Sequence, residues 1–249
     1  MKKEHILGFG AAIAIVFFIS AAIITQSPAE TPVPDRVYQS APFEWLEEGK
    51  YDGTASYAEI LEYGDTGLGT FDRLDGEMIL IDGSAYRVAN DGKVHKVDGE
   101  MMTPFAEVTY FNPDVAVKID HPMNYSEIKD YILEIMPSDT TISTIRLDGL
   151  FSETLTRSVP AQDYPYRPLE EAIATDQVTF PNTNVEGTAA GFYHPGYLSG
   201  ANAEGFHLHF INEERDYGGH LLDFTMESGI IAIDSEDSYT MMIPRAEDE

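Results

Sequence analysis

Three of the chain's seven histidines fall within "GFHLHFINEERDYGGH", residues 205–220. Imidazole is the commonest side-chain ligand for metals such as zinc, so His207, His209 and His220 raise metal chemistry first. His207 and His209 alternate with Phe206, Leu208 and Phe210. On a strand, a period of two sends both imidazoles to one face and the apolar residues to the other. On a helix the pair would lie about 200° apart and could not share an ion. "NEERDYGG" reads as a turn and "HLLDFTM" as the returning strand. Folding one strand on the other about that turn sets His220 opposite His209 and on the same face. One hairpin then offers three imidazoles to one point with a fourth position open, an arrangement known for catalytic zinc. The competing reading is a polar sheet face without an ion, which an isolated His-x-His pair would favour.

The turn should carry Glu213 and Glu214 away from the histidine face, so both read as solvated loop charges. His194, in "FYHPGY", precedes a proline in an expected turn and reads as a surface or supporting residue, not a ligand. His5, His95 and His121 have no companions and read as ordinary surface residues.

The chain has 249 residues, 43% of them apolar, enough for a substantial core, as one large domain or two small ones. It has no cysteine, so disulfides, thiolate sites and cysteine nucleophiles are excluded. Any metal must be held by histidine and carboxylate. The net charge of −28 repels phosphate backbones and argues against a nucleic-acid partner. Its acids are spread along the chain, which fits a heavily solvated surface.

The elements that must position the histidines are mostly strands. "EMILIDGSAYRVANDGKV" (77–94) alternates around two turn signals, Asp82-Gly83 and Asp91-Gly92. "FAEVTYF" (105–111), "STIRLDGLF" (143–151), "VEGTAAGFY" (185–193) and "GIIAIDS" (229–235) read similarly. Three short helices are expected. Residues 56–64 carry a capping box in Ser56 and Glu59, residues 124–136 an apolar stripe of Ile128, Tyr131, Ile132 and Ile135, and residues 168–174 open on Pro168. The expected class is α+β and β-rich, with two sheet-containing subdomains (43–140 and 141–249), a few short helices, and a zinc site on a C-terminal β-hairpin.

Residues 1–25 differ in kind. After Lys2 and Lys3, residues 6–25 form an uncharged apolar run. A signal-peptide core takes about 7–15 residues, whereas spanning a bilayer takes about 20. Export is expected, with an uncleaved membrane anchor preferred over cleavage after "ISAA" or "SPA". Residues 26–42 hold four prolines and read as an extended linker, placing the start of the folded region near Phe43.

Taken together, these segments resemble the alpha-acetolactate decarboxylase family. "GFHLHFINEERDYGGHLLDF" is similar to that family's zinc-binding signature. "YGDTGLGTFDRLDGEMILIDGSAYRV" (63–88), "TPFAEVTYF" (103–111), "IRLDGLFSETLTRSVPAQDYPYRPL" (145–169) and "VEGTAAGFYHPGY" (185–197) follow in the family's order. The resemblance runs from about residue 43 almost to the end. It implies zinc-dependent conversion of 2-acetolactate to acetoin and carbon dioxide, zinc on His207, His209 and His220, and a homodimer. It also implies active-site roles for Glu77, in Leu-Asp-Gly-Glu, and for Arg157, in Thr-Arg-x-Val-Pro. The family's further C-terminal glutamate falls on no aligned residue, leaving Glu247 and Glu249 as candidates. Taken alone, Glu77 reads as an edge-strand surface carboxylate and Arg157 as a solvated strand charge.

Two other functions compete. A cupin-like metalloenzyme would add Glu213 to the His-x-His pair as a ligand. A non-catalytic exported metal-binding module would leave Glu77 and Arg157 without a role.

Overall fold

The computed structural model describes residues 35–244. The apolar segment 6–25, the first part of the proline-rich stretch, and Glu247 and Glu249 lie outside the described residues. Along the chain come β1 (Arg36–Gln39), α1 (Phe43–Glu47), β2 (Ala55–Ser56), α2 (Tyr57–Ile60), β3 (Thr66–Thr70), β4 (Glu77–Ile81) and β5 (Ser84–Val88). β6 (Val94–Lys96), β7 (Met102–Thr103), β8 (Ala106–Thr109), β9 (Val115–Ile119), β10 (Met123–Asn124) and α3 (Tyr125–Ile135) follow. The last part contains β11 (Ser143–Ser158), α4 (Leu169–Asp176), β12 (Val178–His194), β13 (Gly205–Asn212), β14 (Gly218–Ser235) and β15 (Ser238–Met241). The protein is β-rich with few helices, as its alternating sequence predicts.

One sheet has seven strands in the order β15-β1-β8-β3-β4-β5-β6. The second runs β10-β14-β11-β12-β13, with β9 also on β14. Because β13 pairs with β12 on one side and β14 on the other, β11, β12, β13 and β14 close into a ring at the hairpin end. The expected division near residue 140 does not separate these sheets. β9 and β10 precede it yet join the second sheet, while β15 follows it and pairs in parallel with β1. Packing gives the reason. Ile79, Ile81 and Val88 of the first sheet share a core with Ala190 and Ile211 of the second, so neither half has a complete core alone.

The linker reading of residues 26–42 also requires correction at its C-terminal end. Arg36–Gln39 form β1, paired with β8 and β15, and Val37 is fully buried. No proline falls in this run, so its amides are free to join the ladders.

The helices follow their local signals. Ser56 caps α2 and exchanges hydrogen bonds with Glu59, and Asn124 caps α3 in the same reciprocal way with Glu127. α3 lays Ile128 and Ile132 into the core under the second sheet, among Phe151, Phe224 and Ile231. Each buried isoleucine there contributes roughly 1.5–3 kcal/mol. The Asp82-Gly83 turn between β4 and β5 has both residues at positive φ, 50° and 71°, the tight hairpin geometry that its sequence predicts. The strands of the second sheet run longer than their periodicity suggests. β11 has register irregularities near Leu150, Phe151 and Leu155, which interrupt the alternation on which a sequence reading depends.

Candidate active site

β13 carries His207 and His209, β14 carries His220, and His209 lies directly opposite His220 in the ladder. The intervening turn fixes that register. Asn212 Oδ1 accepts from the amides of Asp216 (3.0 Å) and Tyr217 (2.9 Å), closing the loop on itself. Two glycines bring the backbones close enough. At Gly219 a Cβ would stand 2.4 Å from the Arg157 carbonyl oxygen, with φ at +132°. At Gly191 a Cβ would stand 2.0 Å from the His207 carbonyl oxygen. Any side chain at either position would push the strands apart. Leu208 and Phe210 join the core of the second sheet, leaving His207 and His209 on the cavity face.

The three ring centroids are 5.0–5.3 Å apart. Each histidine offers one ligand nitrogen, and these nitrogens all lie within 4.8 Å of one another. His209 Nδ1 donates to the Met78 carbonyl oxygen at 2.8 Å, which leaves Nε2 as its free lone pair. That Nε2 is 3.3 Å from Nδ1 of His220. Two nitrogens on a tetrahedral zinc, each at about 2.0–2.1 Å, stand roughly 3.3–3.4 Å apart. His207 Nδ1 is buried without a hydrogen-bond partner. Burial holds His209 down to about 3, helped by Arg157 and opposed by the Met78 hydrogen bond. Burial likewise depresses His207 and His220, with the neighbouring imidazoles and Arg157 adding to it. All three rings are therefore neutral at ordinary pH, the form that binds metal. The donor set fits a borderline metal such as zinc.

The first sheet supplies the opposite wall. Glu77 opens β4, paired with Thr70 of β3, and its Oε2 is 3.5 Å from His209 Nε2. Burial raises its carboxyl to about 7, and the Arg157 charge works against that rise. Arg157 sits on β11 directly across from His220 in the β11–β14 ladder. Its Nε and Nη1 are buried without partners. Glu77, Arg157 and the three histidines line one cavity of about 150 Å³. Its remaining wall is mostly apolar, including Phe43, Leu46, Phe105, Leu169, Ile173 and Phe206. Such a chamber suits a small, partly apolar anion. Neither Glu77 nor Arg157 is the solvated surface charge that each suggests in isolation.

The other candidates fall elsewhere. Glu213 and Glu214 are exposed in the turn, so the ligand that a cupin-type site requires does not reach the histidines. His194 is not at the surface. It is fully buried at the end of β12, where Nε2 meets Glu107 Oε1 at 2.8 Å. Two supporting features carry little sequence signal: the Met78 carbonyl that orients His209, and the apolar wall from α1 and α4. Backbone acceptors leave no residue signature, and α1 has only five residues.

The model of the family described as "Alpha-acetolactate decarboxylase" matches residues 37–249. An alpha-acetolactate decarboxylase from Methanosarcina mazei is 41% identical over 214 residues, covering 86% of this chain and 74% of that protein. Its counterpart from Bacillus subtilis strain 168 is 38% identical over 226 residues, covering 91% and 88%. The crystal structure of acetolactate decarboxylase from Bacillus subtilis subspecies spizizenii superposes with a TM-score of 0.83 at 40% identity, over 85% of this chain and 90% of that one. A Staphylococcus aureus protein of unknown function, described as similar to alpha-acetolactate decarboxylase, gives a TM-score of 0.82 at 28% identity, covering 86% and 94%. The match takes in both sheets and the cavity between them, and on that footing the chain belongs to the alpha-acetolactate decarboxylase family.

Proposed function

We propose that this protein decarboxylates 2-acetolactate to acetoin and carbon dioxide at a zinc ion held by His207, His209 and His220. Membership of the family supports the reaction. The observation that carries the site is the convergence of three neutral, buried imidazoles with Glu77 and the unpartnered Arg157 N–H groups on one small cavity.

Zinc held by His207, His209 and His220 would supply a Lewis acid that stabilises the negative charge left when carbon dioxide departs. Arg157 orients the substrate carboxylate with its two unpartnered N–H groups, and its positive charge offsets developing anionic charge. The apolar wall receives the methyl groups and excludes water, which strengthens each polar contact inside. Glu77 delivers a proton to one face of the resulting enediolate, so its fixed position on β4 sets the handedness of acetoin. Glu213 remains outside this chemistry.

The test is direct. Purified protein given racemic acetolactate with zinc should release carbon dioxide and acetoin in equal amounts, enriched in one enantiomer. Prior chelation should abolish turnover, and restoring zinc should recover it. Absence of acetoin from a protein with a full metal site would overturn this reading.

A further inference from the structure

Glu107 and His194 form a hydrogen-bonded pair with both side chains wholly buried, and neither lines the cavity. Glu107 lies on β8, near the middle of the first sheet, and His194 ends β12 in the second. The Glu107 carboxylate uses both oxygens. Oε1 meets His194 Nε2 at 2.8 Å, and Oε2 accepts from Asn202 Nδ2 at 3.0 Å. Asn202 Nδ2 also donates to Gln39 Oε1 at 2.6 Å, and Gln39 Nε2 donates to the Ala201 carbonyl at 2.9 Å. Gln39, Glu107, His194 and Asn202 are all buried.

These bonds converge on the connection between β12 and β13, residues 195–204. That connection reaches the cavity at Ala203 and runs into Phe206, another wall residue. It also holds α1 in place, because the amides of Phe43 and Glu44 donate to the carbonyls of Ala201 and Gly200. α1 in turn contributes Phe43 and Leu46 to the same wall. The connection has limited apolar anchorage of its own, and Tyr197 within it is 69% exposed. A carboxylate buried solely to hold two sheets together is a costly choice, since well-packed apolar residues do that at least as well. What the polar hub adds is direction: four side chains with fixed hydrogen-bond geometry define where the connection sits.

We propose that Glu107 is a positioning residue for the decarboxylation, fixing the β12–β13 connection as a wall of the substrate cavity through His194 and Asn202. This rests on the cavity being the acetolactate site. Loosening the hub lets Ala203 and α1 drift from the bound substrate while the three histidines, held by the β12–β13 and β13–β14 ladders and Met78, keep the metal. Substrate binding weakens, and the chemical step on bound substrate is largely preserved.

Asn202→Ala and Glu107→Gln, each in the full-length, zinc-loaded protein, test this. Both should raise KM for acetolactate roughly five- to tenfold while kcat changes less than about twofold. Zinc content should match the wild type, and amides 199–204 should exchange hydrogen faster while those of β13 do not. Asn202→Ala decides the matter if Glu107→Gln does not fold, because it removes the Asn202 bonds to Glu107, Gln39 and the Ala203 amide and leaves the Glu107–His194 pair intact. An unchanged KM, with or without a lower melting temperature, would overturn the proposal. If the wild type itself does not turn over acetolactate, the functional reading fails separately. Hydrogen exchange then still judges the hub, and unaltered exchange at 199–204 would reject it.

Discussion

His209 and His220 face each other across the β13–β14 ladder with ring nitrogens 3.3 Å apart, close to the gap between two ligands of one zinc ion. The Met78 carbonyl fixes the tautomer of His209, so its free nitrogen is directed at that gap. The expected outcome is about one zinc per chain in carefully purified protein, the stoichiometry of a single three-histidine site. His209→Ala should lose both metal and turnover. Stoichiometric zinc in a variant lacking all three imidazoles would place the metal elsewhere.

Metal binding and proton delivery should separate at Glu77. Glu77→Gln removes the proposed proton donor but none of the three imidazoles, so zinc should remain while turnover falls by about 10² or more, the usual scale for a lost general acid. Arg157→Lys should also be damaging, because an ammonium cannot reproduce the planar fork of donors at an anion. Metal analysis beside steady-state kinetics checks both, and near-wild-type turnover in both variants would remove these residues from the mechanism.

A second group of buried acids lies away from the cavity, where β14 runs into β15. Glu236 Oε1 accepts from Thr144 Oγ1 at 2.6 Å, and Asp234 Oδ2 accepts from the Asn112 amide at 2.6 Å. Burial raises Glu236 from about 4.5 to about 8, with neighbouring Asp234 adding and the threonine hydrogen bonds opposing. Burial raises Asp234 to about 6, with Asp35, Asp114 and Asp65 adding. A raised carboxyl favours the protonated folded state. The Glu236 contribution is therefore complete below about pH 4.5 and is lost as pH climbs towards 8, a change on the order of 3–5 kcal/mol. Denaturant melts between pH 5 and 8 should show stability falling with pH, and Glu236→Gln should flatten that slope. A slope unchanged by the substitution would mean that another group titrates.

Much of this site is legible in the sequence because it uses local periodicity. The alternation at 206–210 and the turn at 212–217 place three histidines on one face with no tertiary information. Glu77 and Arg157 become legible only through the family resemblance, because each is a lone charge on a strand and its burial depends on the facing sheet. Glu107 and His194 illustrate the remaining gap. The first is the lone acid of a four-residue strand, the second a histidine beside a turn, and 87 residues separate them. No local rule pairs such residues, and β1 and β15 are hidden for the same reason: β1 takes its place from β8 and β15, and β15 from β1, all distant in sequence.

The N-terminal prediction changes once β1 is recognised. Residues 6–25 are long enough to cross a bilayer, and Lys2 and Lys3 favour an N-terminus left on the cytoplasmic side. We propose that this segment anchors the protein to the membrane and that the proline-rich stretch holds the catalytic region clear of it on the outer side. Among the described residues, no helix is long and apolar enough to span a membrane. Full-length protein should fractionate with membranes, and a version beginning at Thr31 should be soluble and active. A version beginning at Phe43 should be much less stable, because it loses β1 with buried Val37 and takes Gln39 out of the Glu107 hub. N-terminal sequencing of protein from its own host decides between anchor and cleavage. An intact Met1 or Lys2 supports the anchor, and a new terminus between residues 23 and 31 defeats it.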